Sequence, residues 1–521
     1  MLPRERPTKE AGRIDDHRND QLSTGTLGCA AARGGGVVIH WIPVRRLDPA
    51  ELRDVIGDER LTALGRAADA AREILGGRIV VHVNATSAGG GVAEMLPTLL
   101  GYARGSGIDT RWAVLGGEPE FFRITKRLHN HLHGHPGDSG TLDEREREVY
   151  ERVLAGAGRD LLDLLGRDDI VVLHDPQTLG LAPMLATRGI RTVWRCHIGV
   201  DRGNILTRRA WRFLRPYLAD VDRFVFSRSM FRPEMIPVDR TSTITPTLDP
   251  MATKNRPLSA PDGLAILAQA GLLRADIAAA GTYRRRDDSL GHVHRRAEIV
   301  RSGPPPAADQ PLVVQVSRWD RLKDMPGVMV GFADHLAATT PAHLVLAGPM
   351  VSGVADDPEG AAEFRRCVAM WRDLPPARRA RIHLACLPVA DVDENAALVN
   401  ALQRHATVVV QKSLAEGFGL TVLEAMWKGR PVVASAVGGI RDQIRDRRSG
   451  LLLPDPHDLA GFGHLVGQLL RSPSLARSIG RAGADRAAAF LPDRSLVAWS
   501  ELITAVAAPQ SAGLCTGSRA G

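Results

Sequence analysis

The chain has 521 residues, a formal net charge of +8 at pH 7, 44% hydrophobic residues and 24% charged residues. This length predicts two large domains, and the composition is that of a soluble globular protein. No run of eighteen apolar residues is present and the N-terminus lacks an apolar signal segment, so neither a spanning helix nor secretion is expected. Aromatic residues make up only 4% and the arginines are dispersed, which argues against nucleic-acid binding. We therefore expect a cytoplasmic protein that binds neither nucleic acid nor membrane.

The first part of the chain shows short apolar runs that alternate with helical patterns. Residues 1–35 are polar and glycine-rich, which predicts a flexible N-terminal tail. In residues 36–245 a helical pattern occupies 92–104, and the strand candidates are 37–41, 78–84, 110–115, 169–173, 191–196 and 223–226. Buried strands that alternate with helices predict a parallel, doubly wound Rossmann-like domain.

The composition and the hydrophobic pattern change in residues 246–311, which predicts an interdomain linker followed by an insertion. Residues 245–257 carry three prolines, as expected of a crossing between domains. Residues 281–310 are basic and then proline-rich, without hydrophobic periodicity. We expect an exposed insertion or flexible loop that buries little surface and is dispensable for activity.

A second alternation of strands and helices occupies residues 312–490. Its strand candidates begin at residue 312 and continue at 343–346, 381–384, 407–411, 431–435 and 450–453. Within residues 491–521, a helix over 492–507 is expected to pack back on the first domain, before a loose tail. The fold class is therefore α/β, with two doubly wound Rossmann-like domains facing a shared cleft. Ligands of such sheets bind outside the carboxyl ends of the strands.

The segment EGFGLTVLE at 416–424 is the strongest candidate for an anion and sugar site. Its glycines allow close approach of the backbone, and Phe418, Gly419 and Leu420 open a helix whose first amides can bind a phosphate. Glu424, in the first turns of that helix, is placed to bind ribose hydroxyls, and Glu416 to meet a sugar. A capped helix with solvated glutamates is the alternative for a less complete motif.

Two further groups supply cations and a glycine-rich turn. Arg318 and Lys323 follow a strand within one loop, where arginine can bind two diphosphate oxygens and lysine adds a point charge. Alone, the pair would be two surface cations. The triplet Gly89, Gly90 and Gly91 opens a helix after a strand of the first domain, which is weak evidence for a second phosphate cradle.

Polar residues also end two strands of the first domain. His197 follows one strand and can hydrogen-bond a donor sugar near its reacting carbon. His174 and Asp175 end another strand, and Asp175 can accept hydrogen bonds from an acceptor hydroxyl. The segment from Lys126 to Asn130 is expected to help complete this pocket. A histidine or aspartate at a strand end is more often a cap or a buried polar group, so that alternative stays open.

Three groups of metal-ligating residue types are present, and none predicts a bound metal. The cysteines are scattered and indicate reduced thiols. Four alternating histidines lack a carboxylate or cysteine beside them. The segment DVDEN at 391–395 follows a proline and precedes a helix, so helix capping explains it better. The cysteines are Cys29, Cys196, Cys367, Cys386 and Cys515, and the histidines are His129, His131, His133 and His135.

These motifs resemble a known family. SRWDRLK with EGFGLTVLE is similar to the retaining nucleotide-sugar glycosyltransferases of family 4, which have the two-domain GT-B fold. A closer resemblance, over about residues 78–500, is to the glycosyltransferring trehalose synthases. It is carried by NATSAGGGVAEML, ARGSGIDTRWAVLGGEPEFFRITKRLHN, HDPQTLGLAP, WRCHIGVDRGN, TPTLDPMATKN, DDPEG and EGFGLTVLEAMWKGRPVVASAVGGI. The long tail, the basic insertion and the histidine-rich segment depart from the family pattern.

The resemblance implies a reversible transfer of glucose from ADP-, UDP- or GDP-glucose to free glucose, giving α,α-trehalose. Arg318 and Lys323 would hold the diphosphate, Glu416 the glucose hydroxyls and Glu424 the ribose. Gly90 would approach the phosphate, His197 the donor glucose and Asp175 the acceptor.

No tightly bound cofactor is implied, and Mg²⁺ would act on the free nucleotide. Partners would be small-molecule substrates, with a homodimer left open. A retaining trehalose phosphorylase, a family 4 enzyme with another acceptor and a non-catalytic binding protein remain alternatives.

Overall fold

The computed structural model describes residues 39–87, 91–276, 281–351 and 358–508. The predicted tail 1–35 and the end of the chain beyond residue 508 lie outside these residues. Among the described residues, no helix is both long enough and apolar enough to cross a membrane. Cys196, Cys367 and Cys386 are buried free thiols.

Seven strands from the first half of the chain form one sheet, with helices on both of its faces. The strands are β1 (Ile39–Ile42), β2 (Val80–Asn84), β3 (Thr110–Leu115), β4 (Ile170–His174), β5 (Arg191–Cys196), β6 (Arg223–Phe226) and β7 (Thr241–Thr243). Their order is β1-β3-β2-β4-β5-β6-β7, and only β1 pairs antiparallel. The helices are α1 (Arg53–Leu75), α2 (Gly91–Gly105), α3 (Pro119–Leu132), α4 (Glu144–Leu162), α5 (Asp175–Thr178), α6 (Ala182–Thr187) and α7 (Ile205–Leu214). Six of the seven strands were predicted, because buried parallel strands are continuous apolar runs.

The segment 281–310 contains three short strands, so the flexible-loop alternative is wrong, although most of its residues are exposed or half-buried, as the alternative of an exposed insertion predicts. Residues 246–311 contain α8 (Ala260–Gln269), a hairpin of β8 (Thr282–Arg284) with β9 (Leu290–His292), and β10 (Glu298–Val300). Val293 is fully buried and Tyr283 is 4% exposed. Strands of three residues are too short to show a hydrophobic period, so the sequence pattern did not reveal them.

Two arginines join this basic segment to the second half of the chain by ion pairs. Arg285 forms an ion pair of 2.8 Å with Asp391, and Arg295 forms one of 2.5 Å with Glu394. Glu394 is 1% exposed and also accepts the backbone N–H groups of His294 and Arg295 at 2.6 and 2.8 Å. Part of the positive charge of the segment is therefore paired with carboxylates of the second half of the chain, of which Glu394 is buried.

A second seven-stranded sheet has the order β10-β13-β12-β11-β14-β15-β16, and only β10 pairs antiparallel. Its strands after β10 are β11 (Leu312–Val316), β12 (His343–Pro349), β13 (Ile382–Leu387), β14 (Val408–Gln411), β15 (Val432–Ser435) and β16 (Leu451–Leu453). Its helices are α9 (Met325–His335), α10 (Pro358–Asp373), α11 (Pro376–Arg379), α12 (Val392–His405), α13 (Leu420–Trp427), α14 (Ile440–Gln443), α15 (Leu459–Arg471) and α16 (Pro473–Ala487). Asp391 caps α12 by accepting the N–H groups of Asp393 and Glu394, which confirms the capping interpretation of DVDEN.

The last helix, α17 (Pro492–Ala507), returns to the first sheet and packs along α1. Arg60 of α1 donates two hydrogen bonds to Asp493, at 2.8 and 2.6 Å. Arg78 donates to the carbonyl of Ala507 at 3.2 Å. Helix α17 therefore connects the second half of the chain to the first sheet. The carboxyl ends of the strands stay available for a site.

Candidate functional site

Loops that follow strands of the two sheets meet in a cleft. Gly417, after β14, lies so close to the residue after β5 that a Cβ on it would be 3.1 Å from the carbonyl oxygen of His197. Arg228, after β6, pairs with both Asp201 and Asp442. These contacts join the carboxyl edges of the two sheets, where doubly wound folds bind ligands.

Arg318, Lys323 and Glu416 form one cluster on the second sheet. The Lys323 ammonium lies 2.5 Å from Glu416 Oε2, although the two residues are 93 positions apart. Arg318 pairs with Asp320 at 3.3 Å, and its side chain is 40% exposed. Asp320 also accepts the N–H of Leu322 at 2.8 Å, which caps the 3₁₀ turn that carries Lys323. The cluster therefore pairs two cations with two largely buried carboxylates, Asp320 and Glu416.

Two glycines shape the loop before α13. Gly419 has a φ of +88° and directly precedes the helix, a conformation that glycine adopts without strain. A Cβ on Gly438 would lie 1.7 Å from the carbonyl oxygen of Glu416, so the neighbouring loop approaches at backbone distance. Leu420 is the first residue of α13. The side chain of Phe418 packs against Phe490, with ring centroids 5.9 Å apart. Only the backbone of Phe418 is therefore left to contact a ligand.

Glu424 is buried, with 4% exposure, and is paired on one side only. The Lys254 ammonium is 3.5 Å from its Oε1 and 3.0 Å from Glu94 Oε2 on α2, so this lysine bridges the two sheets. Burial would lower the pKa of Lys254, but the two carboxylates raise it overall, so the ammonium stays charged. Glu424 Oε2 is buried and has no hydrogen-bond partner. A buried acceptor of this kind indicates a missing donor group.

Asp175 lies at the cleft end of β4 in an unusual conformation. Its φ is +61°, which is uncommon outside glycine and occurs often at functional sites. Its Oδ1 accepts the backbone N–H of His197 at 2.7 Å. Burial raises the pKa of Asp175 to about 7, although that hydrogen bond and the charge of Arg195 oppose the rise.

His174 does not line the cleft, so its predicted contact with an acceptor is wrong. It is 1% exposed, and its two ring nitrogens lie 2.9 Å from His82 Nδ1 and 3.0 Å from His197 Nε2. His197 is half-buried and is the cleft end of this row. Successive side chains of a strand point to opposite faces, and the sequence alone did not show which neighbour His174 would meet.

Lys126 and His129 of α3, with His133 directly after its end, lie towards the cleft. Lys126 pairs with Glu359 of the second half at 3.5 Å. Burial lowers the pKa of His133 to about 4, while the negative charge of Glu416 across the cleft opposes this. Asn130, four residues after Lys126, is 8% exposed and lies beside the turn at Gly137, and its part in the pocket stays a prediction.

The four histidines of this segment do not converge. His131 is 2% exposed and packs inward, whereas the rings of His129 and His133 contact each other with centroids 4.9 Å apart. Among the residues that the structure describes, no three His, Cys, Asp or Glu side chains are arranged to hold a metal ion.

The sequence pattern did not indicate two residues of the site, and two predicted residues fall outside the described ones. Gly89 and Gly90 lie outside them, and Gly91 begins α2. Lys254 had no local signal, because it is a lone lysine in a proline-rich segment. His133 was considered only as a metal ligand, although its spacing of four from His129 predicts a shared helix face.

Comparison with known proteins identifies the same two halves. Residues 82–233 match the family model "Trehalose synthase, N-terminal domain", and residues 391–486 match "Glycosyl transferases group 1". A trehalose synthase of Rubrobacter xylanophilus is 34% identical over 450 residues, which cover 86% of this chain and 94% of that protein. One of Pyrococcus horikoshii is 32% identical, covering 84% and 91%. A trehalose phosphorylase of Pleurotus sajor-caju is 26% identical, and the match spans 59% of its length.

Solved structures share the fold at low sequence identity. The α,α-trehalose-phosphate synthase (UDP-forming) of Burkholderia xenovorans, in complex with glucose-6-phosphate, is 15% identical with a TM-score of 0.60, covering 82% of this chain and all of that one. The structure described as "Trehalose-6-phosphate from E. coli bound with UDP-2-fluoro glucose" is 15% identical with a TM-score of 0.59, covering 83% and 99%. The two facing Rossmann-like sheets are a GT-B fold, as predicted. With 34% identity over nearly the whole of one relative, the chain belongs to the trehalose synthase family and is a glycosyltransferase.

Proposed function

We propose that this glycosyltransferase moves glucose from a nucleoside-diphosphate glucose to free glucose, with retention, to form α,α-trehalose reversibly. The observation that carries the proposal is the cluster of Arg318, Lys323 and Glu416, which faces Asp175 and His197 across the cleft. Cations for a diphosphate and carboxylates for sugar hydroxyls are then available at one point between the sheets. The names of the relatives with about 33% identity support the product.

The donor is proposed to bind along the second sheet. Arg318 and Lys323 would hold the diphosphate, with the first amides of α13, at Gly419 and Leu420, on a phosphate oxygen. Glu424 would accept ribose hydroxyls, which supplies the donors that its unpartnered Oε2 lacks. Gly89, Gly90 and Gly91 are proposed to approach the diphosphate from the first sheet. ADP-, UDP- and GDP-glucose all fit this scheme, because none of these contacts involves the nucleobase.

The chemistry proposed for the cleft is a front-face displacement. The acceptor hydroxyl attacks C1 of the glucose from the side on which the diphosphate leaves. The bond from C1 to the diphosphate oxygen breaks as the new C1–O bond forms, and that oxygen takes the proton of the acceptor. Arg318 and Lys323 stabilise the charge that develops on the diphosphate. Glu416 and His197 would hold the glucose hydroxyls, and any Mg²⁺ would act on the free nucleotide.

Charge favours a neutral acceptor on the first sheet. Asp175 presents a carboxyl group, and Lys126, the lysine predicted for this pocket, is paired with Glu359 at 3.5 Å. A phosphorylated sugar would meet the carboxylate without an unpaired lysine to balance its charge, whereas free glucose offers only hydroxyl donors. We therefore propose free glucose in preference to glucose 6-phosphate.

The test is direct. Purified protein is incubated with glucose and each of ADP-, UDP- and GDP-glucose, and trehalose is measured. Parallel reactions contain glucose 6-phosphate as acceptor, or trehalose with inorganic phosphate. We expect trehalose from at least one nucleotide donor. Faster transfer to glucose 6-phosphate would contradict the proposed acceptor, and trehalose cleavage by phosphate alone would support the phosphorylase alternative.

Replacing Glu424 by alanine is expected to raise the donor KM by about tenfold or more, with a smaller effect on kcat. The reason is that ribose contacts are shared by the ground and transition states. Steady-state kinetics with varied donor measure this. Glu94→Gln is the matched control, because it removes the other carboxylate on Lys254 and leaves Glu424 in place. An unchanged donor KM in Glu424→Ala would refute the ribose role.

The acceptor affinity is expected to increase as the pH rises through about 7, because the carboxylate form of Asp175 is the better hydrogen-bond acceptor. Asp175→Asn should remove most of this pH dependence and weaken acceptor binding, while donor binding is retained. The folded protein also keeps the Asp175 proton up to a higher pH than the unfolded chain does. This group therefore stabilises the fold below its usual pKa, and that stability is lost as the pH rises through about 7. A parallel pH dependence in parent and Asp175→Asn would contradict both expectations.

A further inference from the structure

Three histidines form a hydrogen-bonded row across the first sheet. His82 of β2, His174 of β4 and His197 after β5 are joined by ring nitrogen contacts of 2.9 and 3.0 Å. The rings of His174 and His197 are stacked, with an interplanar angle of 12°. His82 and His174 are 3% and 1% exposed, whereas His197 opens on the cleft. We call this set the histidine row.

All three rings are neutral at ordinary pH. Burial lowers the pKa of His82 to about 3, and it lowers the pKa values of His174 and His197 well below their usual value. The buried Arg195 guanidinium acts in the same direction. A neutral imidazole has one donor and one acceptor nitrogen. Both hydrogen bonds of the row must therefore run in the same direction, and the proton on one ring determines the tautomers of the other two.

The row therefore controls one atom in the cleft. His197 uses Nε2 to contact His174, so Nδ1 is the nitrogen left for a ligand. If His82 donates, His197 Nδ1 carries a proton, and if His82 accepts, His197 Nδ1 is an acceptor. At the other end, His82 lies against the ring of Trp499, with centroids 5.6 Å apart. His82 and Trp499 also line a small apolar cavity between α1, α2 and α17.

A second pair of stacked, hydrogen-bonded histidines lies in the second sheet, away from the candidate site. His343 Nδ1 lies 3.0 Å from His383 Nε2 on neighbouring strands of the second sheet, and the rings are stacked at 18°. Burial lowers the pKa of His383 to about 3, as it does for His82. This pair lies at the amino ends of β12 and β13, on the opposite edge from the ligand loops. The pair is therefore a matched control for the row.

We infer that His82 and His174 are positioning residues that fix the ring orientation and the tautomer of His197, and so determine whether Nδ1 donates to or accepts from a hydroxyl of the donor sugar. The inference deepens the proposed function and rests on it, because it takes the sugar as the ligand of His197. Neither His82 nor His174 would touch the substrate. A misplaced or wrongly protonated contact beside the reacting carbon would slow the chemical step more than it weakens binding.

The experiment compares three variants. His82→Phe removes the end of the row, His82→Asn keeps a polar atom near the place of Nδ1, and His383→Phe breaks the control pair. We expect kcat to fall about tenfold or more in His82→Phe with little change in donor KM, to return to within about threefold of the parent in His82→Asn, and to stay unchanged in His383→Phe. Thermal unfolding should show similar destabilisation in the two phenylalanine variants. Equal kcat losses in both would overturn the inference.

Nitrogen-15 spectra of the histidine rings give a readout that does not depend on activity. The signals of His197 are identified by their loss in His197→Gln. We expect one tautomer in the parent between pH 6 and 8, and a mixture in His82→Phe. A tautomer mixture in the parent, or a single unchanged tautomer in His82→Phe, would overturn the inference. If the parent formed no trehalose from any donor, the proposed function would fail while these spectra still tested the row.

Discussion

An Arg318→Ala variant is expected to lose about a hundredfold or more in kcat, because one preorganised charge on a leaving group is worth a few kcal/mol in the transition state. Lys323 is already engaged with Glu416 at 2.5 Å. Arg318 is 40% exposed and only loosely held by Asp320, so it is the cation most able to follow the departing diphosphate. The loop should stay folded, since Asp320 keeps its hydrogen bond from Leu322.

The matched control for this variant is Arg321→Ala. Arg321 is an exposed residue of the same 3₁₀ turn, so its replacement changes the net charge equally without removing a cation of the cluster. Single-turnover and steady-state rates should separate loss of chemistry from loss of donor binding. Near-normal kcat in a folded Arg318→Ala protein would overturn the proposed diphosphate role.

Replacing residues 284–308 by a short glycine–serine linker is expected to destabilise the protein by at least about 4 kcal/mol, which reverses the expectation from the sequence pattern. The linker would remove β10 from the edge of the second sheet and the fully buried Val293. It would also leave the buried carboxylate of Glu394 without Arg295 and without its two backbone donors. An uncompensated buried charge of this kind costs about 3–5 kcal/mol, a large part of the stability of a typical protein.

Chemical unfolding and trehalose formation would be measured on the linker variant together with two point variants. Val293→Ala should lower the free energy of unfolding by about 2 kcal/mol, because it removes fully buried apolar surface. Arg284→Ala, at an exposed position of the same hairpin, should change it by less than about 0.5 kcal/mol. A stable, active linker variant would restore the interpretation of the segment as a dispensable insertion.

Local sequence was informative wherever a feature depends on neighbouring residues. Strands β3, β5 and β6 and helix α17 have the predicted bounds, because continuous apolar runs and helical periodicity are properties of a few adjacent residues. The capping role of Asp391 was predicted for the same reason. The motifs around Arg318 and Glu416 also predicted that distant residues would share one cleft, since loops at the carboxyl ends of parallel strands meet at one edge.

The direction in which each side chain points, and the residues that it contacts, were decided only by the tertiary structure. The sequence placed His174 in the acceptor pocket, but the register of β4 buries it among other histidines. The same holds for the bridge from Lys254 to Glu424, which joins residues 170 positions apart and has no local pattern. Such contacts depend on how two sheets and their crossing segments are brought together, which is a long-range property of the packed chain. The sequence by itself therefore determined the fold class and the chemical inventory of the cleft, and the packing decided which side chains reach it.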